Sequence, residues 1–147
     1  VIDVIGLADY VLVVTSYDPA AVVDAYAVIK LVSASDGTKP IGVVVNSARD
    51  AEEGGLVFRQ ISLAADRFLG RALRYDGHVL EDRLVKEAGF SQVPLIGAES
   101  SGAASGCIRR LARRLTTART PGSGPWPSQS TLAGPRPGSN MEAPQCA

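Results

Sequence analysis

No Gly-Lys dipeptide occurs anywhere in the 147 residues. A G-x-x-x-x-G-K-[ST] phosphate loop is therefore excluded from this stretch of chain. The one glycine pair, Gly54-Gly55, precedes a predicted helix but lacks the flanking Gly and Lys of such a loop. Histidine is nearly absent: His78 stands alone, with no Ser or Cys in an elbow or triad setting, so a structural or solvent-facing role is expected for it. Cysteine is scarce too. Cys107 and Cys146 lie far apart, one in a predicted helix and one in a predicted tail. They fit no disulfide framework, which suits a reducing cytoplasm, and with one His they cannot supply a typical metal-ligand set. An excess of charge of either sign is missing, since 15 basic and 15 acidic residues cancel, and nothing global points to nucleic acid. Aromatic residues are few, at 5 %. No apolar run reaches transmembrane length, and no basic region precedes an apolar one at the N-terminus.

What is present is a globular amount of apolar residue, 46 %, in a pattern that changes period along the chain. Residues 10–15 (YVLVVT) form a short β-branched run of strand length. Asp18 is a good N-cap and Pro19 a good first helical residue. Val22, Ala25, Tyr26, Ile29 and Val32 then recur at helical spacing. Residues 41–46 (IGVVVN) are a second apolar run, of the kind that suits a parallel strand covered on both faces. A helix is predicted over 56–69, with Ile61, Ala64, Ala65 and Phe68 as its stripe and Gly70 as its stop. A third, poorer strand covers 73–79. A short helix follows at 81–88, and a last one at 105–117 with Ile108, Leu111, Ala112 and Leu115 on one side. The predicted fold class is α/β, three-layered, with a mostly parallel sheet joined by right-handed crossovers.

Ligands of such sheets bind beyond the carboxyl ends of the strands. Those ends are predicted at residues 15–18, 46–49 and 76–82. Asn46 is the sharpest candidate, because a carboxamide pairs a donor with an acceptor and matches the N6/N7 edge of adenine. The alternative is an Asn that closes the turn through its own backbone. Asp82 could accept from an adenine amino group or a ribose, or cap the helix that follows; the two roles are compatible. Asp24, on the first helix, suits a partner contact or a buried hydrogen bond better than catalysis. The last helix, CIRRLARRLTTAR, is basic and amphipathic; it is read as the closing core helix, with contact to an anionic membrane surface as the alternative.

From Thr120 the chain reads TPGSGPWPSQSTLAGPRPGSNMEAPQCA and holds six of the nine prolines. Residues 119–147 are expected to be a disordered Pro/Gly/Ser-rich tail. The informative part is 1–118, and its beginning at Val1, with no helix start signal, reads as a cut front edge.

The run YVLVVTSYDPAAVVDAYAVIK resembles the middle of MinD/ParA-type P-loop ATPases, most closely their FlhG-like, flagellar-number-regulating branch. Ala8-Asp9, Thr15, Pro19, Ala21 and Asp24-Ala25-Tyr26-Ala27 through Ile29-Lys30 match. Tyr17, Asp18 and Ala20 depart from the Pro, Glu and Thr of the pattern. GVVVNSARDAEEG and AADRFLGRALRYDGHVLEDRLVKEA continue the resemblance through about residue 118. It implies that residues 1–118 are the C-terminal half of a MinD/ParA-like ATPase domain, with Asn46 and Asp82 as adenine-side contacts. Many relatives have Pro where this chain has Leu80. The family's phosphate loop, Mg²⁺ switch and catalytic residues lie upstream of the matched region, so no catalytic or metal residue is expected here. The cofactors implied are ATP and Mg²⁺ in the full-length member, with no tight binding to this chain alone. An ATP-dependent homodimer, a flagellar or polar regulatory partner, and peripheral contact with the inner face of the cell membrane are likewise implied, in a cytoplasmic protein. The rival readings are a non-catalytic α/β interaction module and a truncated gene remnant without nucleotide binding.

Overall fold

The computed structural model describes residues 5, 7–97 and 101–118. The expected tail, 119–147, lies outside the described residues. Three strands, β1 (Val11–Thr15), β2 (Ile41–Ala48) and β3 (Arg74–Leu80), form one parallel sheet in the order β1-β2-β3. Helix α1 (Pro19–Ser35) links β1 to β2, and α2 (Ala51–Leu69) links β2 to β3. Helices α3 (Arg83–Ser91) and α4 (Ala103–Ala118) follow β3. The predicted element order, the α/β class and the three layers are all present.

Side chains alternate across the sheet, so each strand feeds two cores. Val13, Val43 and Val45 meet Ile29 and Val32 of α1 and Ile61 and Ala65 of α2. On the other face Val44 and Val79 meet Ala104 and Cys107 of α4, with Leu12, Ile108 and Leu111 packed around them. Burying each such aliphatic side chain stabilises by about 1.5–3 kcal/mol, which is why continuous apolar runs settle as inner strands. The second layer is narrower than the first. Over β1 it leaves Val14 60 % exposed.

Several boundaries and contacts differ from the sequence reading. Helix α2 begins at Ala51, five residues before the expected start, and so contains the Gly54-Gly55 pair. A Cβ on Gly54 would stand 2.8 Å from the Tyr75 hydroxyl and 2.9 Å from His78 Cβ, so this glycine lets the helix lie close on β3. Phe68, expected on the buried stripe, is exposed beneath the Arg67 guanidinium, and the stripe that is buried runs through Gly54, Val57, Ile61 and Ala65. Ala112 of α4 is likewise exposed; the buried turn is Ala104, Ser105 and Cys107. Gly70 ends α2 as expected, in the left-handed region at φ 61°.

A polar group crosses the second face. Asp76, 3 % exposed, is the extra residue of a bulge in β3, since Tyr75 pairs with Val43 and Gly77 with Val44. Gly77, at φ 127°, completes the bend. The Asp76 carboxylate accepts from the Tyr10 hydroxyl and from Arg74 Nε, and its carbonyl accepts from Arg114 of α4 at 3.0 Å. Tyr10 reaches Asp76 over Gly42, where any side chain would overlap both groups.

Candidate functional site at the carboxyl edge of the sheet

The edge is built from three turns that leave β1, β2 and β3. In the first, the buried Thr15 hydroxyl donates to the Ala21 carbonyl at 3.0 Å, and Asp18 accepts from Ala20 N at 2.7 Å, so the chain turns at once into α1. Pro19 follows the cap with the φ a first helical residue needs. Asp24 is exposed on α1, where the expected alternatives included a buried hydrogen bond; it makes none among the described residues.

The second turn carries Asn46. Strand β2 runs on to Ala48, two residues past its expected end, through an irregularity between the Val45–His78 and Ala48–Leu80 pairs. Asn46 and Ser47 occupy that bulge, with Ser47 in the left-handed region at φ 55°. Bulges re-aim side chains, and Asn46 is exposed between buried Val45 and buried Ala48. Its carboxamide makes no hydrogen bond to another described residue, so the alternative role of closing the turn is not filled. Just beyond it, Asp50 accepts from Glu53 N at 2.8 Å and caps α2. Glu53 in turn accepts from Arg49 N and Arg49 Nε, each at 2.8 Å. These Arg49 bonds, backbone first and side chain second, hold the Glu53 carboxyl below the usual carboxylate range. The Asp50-x-x-Glu53 spacing is a capping-box signal that the sequence reading passed over.

The third turn carries Asp82. Glu81 N donates to the Ala48 carbonyl at 2.8 Å and ties this turn to the second. Asp82 caps α3, accepting from Leu84 N at 2.9 Å, and also accepts from Ala104 N at 3.1 Å. Asn46 and Asp82 thus share one edge, on neighbouring turns, but differ in state: the amide is uncommitted and the carboxylate is engaged twice. Asp76, expected near this edge, instead lies inside β3. His78 stands 3.2 Å from the Tyr75 hydroxyl, and burial, then Arg110 and Arg114, push its pKa down.

The caps give the edge its electrostatic character. Asp18, Asp50 and Asp82 occupy the N-termini of α1, α2 and α3, and Asp82 also serves α4. Helix N-termini are the usual cradle for phosphate, through free N–H groups and the positive end of the dipole. Here each carries a carboxylate. Among the described residues, no cluster of three or more His, Cys, Asp or Glu converges to hold a metal ion. The described residues do not fit a Mg²⁺ site. The arrangement can offer a donor–acceptor pair to a base; it does not offer a phosphate cradle.

No protein-family model matches the chain. Over 115 residues it is 31 % identical to the antiactivator FleN of Pseudomonas aeruginosa. The chain is similar to FleN. The match takes in 78 % of the chain and 41 % of FleN, so the chain spans about two fifths of the length of that curated relative. The likeness to FleN supports the FlhG-like relationship read from the sequence. Among the described residues no helix is long and apolar enough to cross a membrane.

Proposed function

We propose that the chain is the base-binding part of a MinD/ParA-type, FlhG-like ATPase, whose phosphate loop and Mg²⁺ switch come from polypeptide outside these residues. The observation that carries this reading is Asn46. It is an uncommitted carboxamide on a bulge at the carboxyl edge of a parallel sheet, the place where ligands of such folds bind. Its donor and acceptor suit adenine. The likeness to FleN supports the FlhG-like part of this reading. The capped helix ends agree with a division of labour in which this part holds no phosphate. In the whole protein the function is ATP-dependent homodimerisation and peripheral membrane association in the cytoplasm, controlling flagellar number or placement through a regulatory partner. The Asp82 carboxylate belongs to the same edge.

The test is nucleotide selectivity. In the protein joined to its phosphate-binding part, Asn46→Ala weakens ATP binding by about 1–3 kcal/mol, the scale of one bidentate base contact, and leaves GTP binding unchanged. Equal affinity of the unmutated protein for ATP and GTP contradicts the assignment.

A second reading, a non-catalytic interaction module, is favoured by α3. This helix has no buried residue, Phe90 is 91 % exposed, and Leu84, Val85, Val93 and Ile96 are exposed as well. On that reading Phe90→Ser abolishes partner binding and Asn46→Ala does not.

A further inference from the structure

We propose that Asp82 is a positioning residue, a clip that joins the first turns of α3 and α4 at the carboxyl edge, rather than a contact to ligand. The part of this that concerns nucleotide rests on the function proposed above; the clip itself does not.

An ionised carboxylate only accepts, and its two oxygens here serve two different amides. Oδ1 takes Leu84 N at 2.9 Å and Oδ2 takes Ala104 N at 3.1 Å, from residues 20 positions apart on separate helices. Gly102 makes the second bond possible. A Cβ at that position would overlap Asp82 Oδ2 and approach Leu84 Cδ1 to 3.0 Å. The turn of α4 that Asp82 reaches is the anchor of its surroundings. Ala104 and Ser105 are fully buried, the Ser105 hydroxyl donates to the Leu95 carbonyl at 3.4 Å, and Arg109 donates to the Gly97 carbonyl at 3.0 Å. Helix α3, by contrast, buries nothing, and nine residues do not hold a helix in water unaided. Asp82 therefore ties a weakly packed helix to a well-packed one, which itself holds residues 95 and 97 through Ser105 and Arg109. A ligand donor at Asp82 competes with two charge-assisted backbone bonds. Asn46, on the neighbouring turn, has no such competitor.

The experiment is amide hydrogen exchange on the ¹⁵N-labelled chain with Asp82→Ala, Asp82→Asn and Gly102→Ala, using Val43 and Val45 as monitors of an intact sheet. Asp82→Ala speeds exchange at both Leu84 and Ala104 by about tenfold or more, the scale of a lost bond to a charged acceptor. Asp82→Asn, with a single acceptor oxygen, restores one of the two amides and not both. Gly102→Ala exposes Ala104 while Leu84 stays protected. Unchanged protection of both amides in Asp82→Ala overturns the proposal, as does full protection of both in Asp82→Asn. ATP and GTP are then titrated as probes, followed by amide shifts. Asp82→Asn alters the two affinities by the same factor if Asp82 positions. A changed ATP-to-GTP ratio with both amides still protected shows a direct contact and overturns the proposal. Absence of binding by either nucleotide even when the phosphate-binding part is present counts against the base-binding function, and the exchange data decide the clip regardless.

Discussion

The Tyr10 hydroxyl donates to the buried Asp76 carboxylate across Gly42, tying the edge of β1 to β3 over the strand between them. The two outer strands of a three-stranded sheet share no backbone bond, so this side-chain bond is a direct link between them. Tyr10→Phe leaves one oxygen of a buried carboxylate without its donor. It costs about 1–3 kcal/mol, visible as a lower urea midpoint. The same pair fixes an alkaline limit. Burial first, and the Asp76 hydrogen bond second, push the Tyr10 pKa far above its ordinary value. The unfolded chain releases that proton near pH ~10 and the native protein retains it. The contribution is complete below that pH and lost above it, so the fall in thermal midpoint above pH ~10 is shallower in Tyr10→Phe.

His78 sets a limit at the acid side. Burial, then the charges of Arg110 and Arg114, hold its pKa below the ordinary value. Below about pH 6.5 the unfolded chain binds a proton that the native protein refuses. Stability is therefore complete above that pH and declines as pH falls toward the folded value. Urea midpoints taken between about pH 7.5 and 5 show this decline, and His78→Gln reduces its slope.

Edge strand β1 carries the aggregation liability. Val14 projects into solvent from an apolar strand whose outer side pairs with no described strand. Charged residues, Lys above all, are what natural edge strands use to prevent further pairing. Val14→Lys raises the concentration at which the chain stays monodisperse in light scattering. Its folding stability changes by no more than about 0.5 kcal/mol, as expected at an exposed position.

Most elements were legible because β1 and β2 are continuous apolar runs and α1, α2 and α3 have a start or stop signal of their own; β3, RYDGHVL, is broken by polar residues and is the poorer strand. VLVVT and GVVV are unambiguous, and Asp18-Pro19 and Gly70 mark boundaries locally. What escaped the sequence depends on residues far apart. Gly54 reads as a residue ahead of the helix until Tyr75 and His78 are found against it. Asp76 reads as an edge residue because a bulge leaves no local signal. Phe68 reads as core by period, yet α2 turns it outward near its C-terminal end. At the site, the sequence singled out Asn46 first and Asp82 second. Their difference rests on Ala104, 22 positions beyond Asp82, whose amide takes an oxygen that no local pattern assigns.

The central claim is that these residues hold the base of a nucleotide and not its phosphates. Comparing adenosine with ATP on this chain tests it most directly. Three carboxylates cap the helix ends that could have faced phosphate, so added phosphates bring no new donors. By amide-shift titration adenosine binds at least as tightly as ATP, both no better than roughly millimolar, about −4 kcal/mol. ATP binding a hundredfold or more tighter than adenosine, a gain of about 2.7 kcal/mol from its phosphates, contradicts the account.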